Sequence, residues 1–506
     1  MNAKRRWYAL MEAVCLATAV LWCLTAFQNN HPIYQQIGSD NGIFLCMGRG
    51  IADGLVPYVD ITENKGPLFF LMMALPQMLV EGTAGIYVLE VLTFLGCCVL
   101  LMLCVRWLMG EKRHILCFAA AIMVLMKTCG QNNFCEEYDF FFMLLGFAVF
   151  VHAWTGRRRG AGARAFVLGV AAAAVALIKI SDIPGLCVSI LFYFIHAVRS
   201  GRKLWKEALG FVAGAAAVTV PVLIYLCAVG ALGAMLQEYI LNNFVHVATA
   251  KDADFWEIRG WLIFHDNYGW LSLQPVLAMA GAIALRLVIY RRDAQRMKRE
   301  RFLAVYGLAL AVANLLSAFV AGTGFHQHLL MGSCTTLIAS LLAISAVTEL
   351  LNRRVSWMKW PELAAAACLL AAIAVPAARA LAPQRLAAVR AAAEEGHAAQ
   401  CELLPYLEGY ETVYTIGISP DWYWHTGLQP AFRYYNIIGF VSDNVGNGLE
   451  YEFEAFLEQG AVEALITKGD IERSRGILTD DTIEYVQNNY QVVVEDSSGR
   501  WLWTLI

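Results

Sequence analysis

The sequence predicts an α-helical polytopic membrane protein of about eleven transmembrane helices with a small C-terminal α/β domain. Three observations predict it. Hydrophobic residues fill 59% of the 506 positions and charged residues only 16%, where a soluble domain carries about 25% charged. Apolar runs of near membrane length recur between residues 7 and 379. After Pro383 they stop, and short strand-like stretches alternate with helical ones. A net charge of −3 and a pI near 6.4 give no global field that would attract nucleic acid. The fourteen cysteines mostly lie inside apolar runs and include no CxxC pair, so they read as small lipid-compatible residues, not as a disulfide or metal framework.

A crossing helix needs roughly 20 apolar residues, with about 17 as the practical minimum. Candidates run over 7–27, 84–108, 112–128, 134–154, 163–181, 183–198, 207–229, 269–290, 302–320, 326–348 and 360–379. The first lies near a basic N-terminus without an A-x-A-like cleavage site, so a retained helix is expected. Lys and Arg concentrate on the cytoplasmic side. Lys4 to Arg6, Lys112-Arg113, Arg157 to Arg159, Arg199 to Lys206, Arg291 to Arg301 and Arg353 to Lys359 all fall inside if these eleven segments cross. That orientation predicts a plasma-membrane protein with its N-terminus cytoplasmic and its C-terminal domain external. Pro67–Val80 is apolar but too short, and holds Pro76, so it reads as a re-entrant or surface-lying segment. Residues 1–383 form the membrane domain. Residues 384–506 form the external α/β domain, with strands expected at Thr412–Ile416, Ala464–Ile466, Val492–Val494 and Trp501–Leu505.

The chemistry gathers in the polar loop Gln28–Pro67, which holds Asp40, Asp53, Asp60, Glu63 and Lys65. Ser39 is placed to cap a helix starting at Asp40, with Ile43, Met47, Gly50 and Ile51 on one face and Asn41, Arg49 and Asp53 elsewhere, an amphipathic helix lying on the membrane. A carboxylate in that first turn faces the positive end of the helix dipole, so Asp40 could act as a base, or only start the helix. Lys65, where a polar loop meets an apolar segment, either snorkels or binds an anion such as a lipid phosphate. Lys179, at the external end of a crossing, is a functional candidate by default. Glu136 and Asp139 share a face at the mouth of another helix, where solvated acids are also common. Arg106 sits near an inner helix end, where snorkelling suffices. His326 and His328, at spacing i,i+2, do not share a helical face, which argues against a His-His metal pair.

In this order the positions resemble the GT-C superfamily of membrane glycosyltransferases, notably lipid A aminoarabinose transferases and protein O-mannosyltransferase-like enzymes. The resemblance rests on Asp40, Gly54-Leu55-Val56-Pro57-Tyr58, Glu63-Asn64-Lys65-Gly66-Pro67, Glu136, Leu177-Ile178-Lys179 and His328. One position departs from it: the arginine that often follows the first-loop acid by three residues is Ile43, leaving Arg49 or Arg433 to supply the charge. The resemblance implies transfer of a sugar from a polyprenyl-phosphate donor to a hydroxyl of a cell-envelope glycan, lipid or protein at the external face, with inversion. It implies Asp40 as the catalytic base, Lys65 and Lys179 as donor-phosphate ligands, and Glu63, Glu136 and His328 as sugar or acceptor ligands. Glu63 and Glu136 could instead hold a divalent cation. Membrane lipids are expected partners, nucleic acid is not. Trp422, Tyr423, Trp424, Tyr434 and Tyr435 are placed to stack on an acceptor glycan or to pack the domain core. The alternative is a transporter or flippase of a lipid-linked sugar, which would place charges near mid-membrane and break segments at matching places in two repeats.

Overall fold

The computed structural model describes residues 3–35, 37–109, 114–129, 133–156, 160–243, 269–321, 329–354, 360–435, 449–475 and 478–506. Each of the eleven segments expected to cross is a helix: α1 Ala3–Ala26, α4 Ala84–Met109, α5 His114–Thr128, α6 Cys135–Trp154, α7 Ala161–Ile178, α8 Ile183–Arg199, α9 Leu204–Ala228, α11 Gly269–Tyr290, α12 Ala294–Ala321, α13 Leu330–Arg354 and α14 Trp360–Ala380. Between them, α2 is Ser39–Ala52, α3 is Pro67–Leu79 and α10 is Leu232–Met235. Among the described residues, eight helices are long and apolar enough to cross a membrane, or nine if the bent pair around Pro383 is one span. Hydrocarbon cannot satisfy backbone polar groups, which is why these runs take the one conformation that pairs them internally. α3, α5 and the apolar part of α7 are shorter.

The chain divides into two compact units that are discontinuous in sequence, residues 1–27, 88–223 and 253–382 in one, residues 28–87, 224–252 and 383–506 in the other. In the first, helix packs on helix, α13 against α11 and α5, α12 against α8, and α6 against α7 and α8. Small residues allow close approach, since a Cβ on Gly210 or Gly214 of α9 would collide with the carbonyl of Gly162 or Phe166. Several charges inside this unit are paired. Arg106 is one of them while its side chain stays 42% exposed: its Nε donates to Glu12 Oε1 at 2.7 Å, and His114 Nε2 meets the same oxygen at 2.8 Å. Arg286, 3% exposed, donates to both oxygens of Glu300 at 2.7 and 2.9 Å and to Ser345 at 3.0 Å.

The second unit contains α2, α3, a helix α15 (Pro383–Gln400), short helices α16 (Asp421–Thr426), α17 (Leu449–Glu458) and α18 (Asp480–Asn489), and one sheet. The strands are β1 Val413–Ile416, β2 Ala464–Thr467, β3 Tyr490–Glu495 and β4 Trp501–Leu505, within two residues of expectation. They lie in the order β1-β2-β4-β3, with β1 parallel to β2 and the other pairs antiparallel. Tyr414, Ile416, Phe432, Phe453, Leu457, Ile483, Val486 and Trp503 form its core. All fourteen cysteines are free.

Glu300→Ala would leave the Arg286 guanidinium uncompensated in an apolar interior. The expected cost is on the order of 3–5 kcal/mol, read as a fall in melting temperature of the purified protein. Arg296→Ala, whose side chain is 28% exposed, should cost far less, and equal losses would contradict this account.

Candidate active site

The polar turn between α2 and α3 is the best-built functional feature of the second unit. Asp60 Oδ2 accepts the Val56 N–H at 2.7 Å, and Tyr58 N–H donates to Ile61 O at 2.6 Å, closing a tight loop. Tyr58 adopts φ 68°, a left-handed conformation that costs free energy in any residue but glycine. Its buried hydroxyl donates to the Lys65 carbonyl at 2.7 Å. Burial, with nearby Tyr239, Glu63 and Glu238, pushes that phenol well above its usual range, so it remains a donor.

Lys65 follows, with α3 starting two residues later on Pro67, the first-turn position that proline favours. Its Nζ donates to Asn64 Oδ1 at 2.5 Å and to Glu63 Oε1 at 3.3 Å, and it lies 5.8 Å from the centre of the Phe44 ring. Glu63 Oε2 accepts the Lys65 N–H at 2.9 Å. The two side chains are 18% and 20% exposed. The ammonium is therefore held in one place by a neutral amide and one carboxylate oxygen while part of it stays reachable.

Asp40 lies in the first turn of α2 and is half-buried. The helix starts at Ser39 with Gly38 at the N-cap, so Ser39 is the first helical residue and not the cap. The expected two-faced helix lying on a membrane is also corrected. Asn41 is 1% exposed and donates to Asn30 Oδ1 at 3.0 Å, while α2 packs against α3 and α16. A Cβ at Gly42 would overlap the Asp421 backbone, and one at Gly48 the Met73 backbone. Arg49 donates to the carbonyls of Tyr423 at 2.8 Å, Leu428 at 3.1 Å and Trp424 at 3.3 Å. Trp422, Tyr423 and Tyr435 are essentially fully buried, so they pack the core and offer no stacking face. Trp424 and Tyr434 keep partial exposure.

In the first unit, Lys179 stands at the break between α7 and α8, and its Nζ donates to Glu136 Oε1 in a buried ion pair. Glu136, Glu137 and Asp139 are all under 7% exposed, which corrects the reading of solvated acids at a helix mouth. Asp182 is buried as well. The structure thus pairs Glu136 with Lys179, and Glu63 with Lys65. His326 and His328 lie outside the described residues. Among the described residues, no group of three or more His, Cys, Asp or Glu is arranged to hold a metal ion.

No family model matches the chain, and no curated protein matches it. Solved structures do. ArnT from Cupriavidus metallidurans bound to undecaprenyl phosphate superposes with a TM-score of 0.56 at 14% identity over 100% of this chain and 99% of that one. Its apo form gives 0.54 at 13% identity with the same coverage. The Archaeoglobus fulgidus oligosaccharyltransferase tethered to an acceptor peptide containing an NVT sequon gives 0.50 at 12% identity, over 99% of this chain and 74% of that one.

Arg49→Met would strip the donor from three carbonyls in the packed unit. The expected loss is on the order of 3 kcal/mol, seen as a lower melting temperature with lysine at this position recovering only part. A neutral Arg49→Met would show that the α2–α16 contact needs no guanidinium. The likeness to these solved structures runs the length of the chain, and this multi-pass membrane protein has the fold of ArnT.

Proposed function

We propose that this protein is a glycosyltransferase that moves a sugar from a polyprenyl-phosphate donor to an acceptor hydroxyl at the external membrane face. The observation that carries this reading is the full-length likeness to a transferase crystallised with undecaprenyl phosphate. In the reaction, the acceptor oxygen attacks the anomeric carbon as the bond from that carbon to the phosphate oxygen breaks. The configuration inverts, the acceptor proton passes to Asp40, and the polyprenyl phosphate departs with the bonding pair.

Asp40 supports the base role by its place in the first helical turn, half-exposed and beside the positive end of a helix dipole. Lys65 is assigned to the departing phosphate, because its ammonium is fixed and partly accessible at the start of an apolar helix. Lys179 is assigned the same charge-stabilising role from the sequence. Glu63 and Glu136 each hold one of these lysines, and both oxygens of each already accept a hydrogen bond, so a sugar or acceptor hydroxyl would have to share them. We derive no step through a divalent cation, since the described acids and histidines do not group to hold one.

Asp40→Asn should reduce turnover about 10²- to 10⁴-fold in liposomes carrying the full chain and undecaprenyl-phosphate-linked sugars, with protein yield and melting temperature unchanged. Retained transfer would reject Asp40 as base. Lys179→Met should raise the donor KM several-fold while leaving the acceptor KM in place, and an unchanged donor KM would reject that assignment. Loss of the gene should leave lipid-linked sugar accumulated on the outer leaflet. Donor trapped on the inner leaflet would point to a flippase instead.

A further inference from the structure

We propose that Glu238, Arg433 and Tyr434 are positioning residues for Lys65, a charged buckle that fixes the Glu63–Lys65 turn and so the ammonium offered to the donor phosphate. This rests on the reading of Lys65 as a phosphate ligand. The turn is held at both ends by groups outside it. Thr62 N–H donates to the Arg433 carbonyl at 2.7 Å, and Thr62 pairs with Tyr434 in a parallel bridge. Asn243 Nδ2 donates to the Asn64 carbonyl at 3.1 Å and to Tyr239 O at 2.7 Å.

The Arg433–Tyr434 anchor converges on Glu238. It is 8% exposed and sits in a π-helical turn, Leu236–Leu241, a rare winding that often marks a functional position. Asn243 lies just beyond that turn and is tied to it through the Tyr239 carbonyl. Glu238 Oε1 accepts from Arg433 at 2.7 Å, and Oε2 accepts from the Tyr434 hydroxyl at 2.7 Å and from Asn242 at 2.9 Å. The other edge of the Arg433 guanidinium donates twice to Glu452, at 2.9 Å each. A guanidinium fastened between two carboxylates cannot swing away, and its own carbonyl is the acceptor for Thr62. Three backbone groups from Thr62 to Lys65 are therefore pinned, which leaves the ammonium only its own side-chain torsions.

The test is a double-mutant cycle on binding of undecaprenyl phosphate to the full chain in lipid nanodiscs. Arg433→Lys should weaken binding about tenfold, and Tyr434→Phe about threefold with an unchanged melting temperature. In a Lys65→Ala background neither change should have a further effect beyond about twofold. Equal losses in both backgrounds, or no loss in either folded variant, overturn the positioning role. Should Arg433→Lys fail to fold, Tyr434→Phe decides alone, since it keeps the ring and removes one hydrogen bond. If the unsubstituted protein does not bind the probe, or Lys65→Ala binds equally well, the reading of Lys65 falls and takes this inference with it, a result distinct from additivity.

Discussion

The hydrogen bond from the Tyr58 hydroxyl to the Lys65 carbonyl is the contact on which the candidate site depends. Tyr58 holds a left-handed backbone conformation that a free chain would abandon. Its neighbours over-determine it, because its N–H, its hydroxyl and the Asp60 carboxylate all close the same loop. The strain is thereby converted into direction, since the backbone leaving this loop carries Lys65 straight into α3. Where a flexible lysine would wander into water, this one is aimed by its own main chain. Lys179 meets the same problem differently. It is buried, where an unpaired ammonium would be costly, and Glu136 keeps it charged. Both cations have a carboxylate partner, and Lys65 has in addition a main chain fixed by the turn.

How much of this was legible in the sequence follows from the range of each interaction. The crossings were legible because hydrocarbon demands long apolar runs and leaves them one way to satisfy the backbone. The strands were legible because buried strands such as β1 and β2 read as short apolar runs bounded by turn residues. The surroundings of α2 were not. Spacing assigned Asn41 and Arg49 to a polar, solvent-facing side, but their partners are Asn30 and carbonyls more than 370 residues onward. No local period encodes a contact of that separation. A signal was nevertheless present, in Gly42 and Gly48 on a helix that had no reason to carry small residues unless other backbone approached it. Glu238 escaped notice for a related reason, because it lies in a stretch whose π winding has no sequence period to find.

The buried acids show where composition misleads. Glu136, Glu137 and Asp139 read as an ordinary acidic helix start, for which water is the usual partner. In the structure they are enclosed, and Lys179 and Asp182 are buried with them in the same unit. Carboxylates withdrawn from water need a counter-charge or a proton, so the position of Lys179 is set as much by this requirement as by any ligand. Its assignment to a phosphate therefore carries a condition, that an incoming anion share the ammonium with Glu136 instead of finding it bare.

The missing first-loop arginine sharpens the same point. Ile43 stands where the family this sequence resembles often has that residue, and the two arginines named as replacements are both committed, Arg49 to three carbonyls and Arg433 to Glu238 and Glu452. A guanidinium would grip a phosphate with a rigid two-pronged fork, whereas an ammonium acts as a compact point charge with rotatable donors. Under the proposed reading, the charge that grows on the departing phosphate is thus met in this unit by Lys65. A point charge has no preferred phosphate orientation, so its effect depends on placement alone, and placement is what the Tyr58 loop and the Glu238 buckle supply. Under that reading, the rigidity of a turn of a few residues goes with a lysine whose neighbouring described arginines are already engaged.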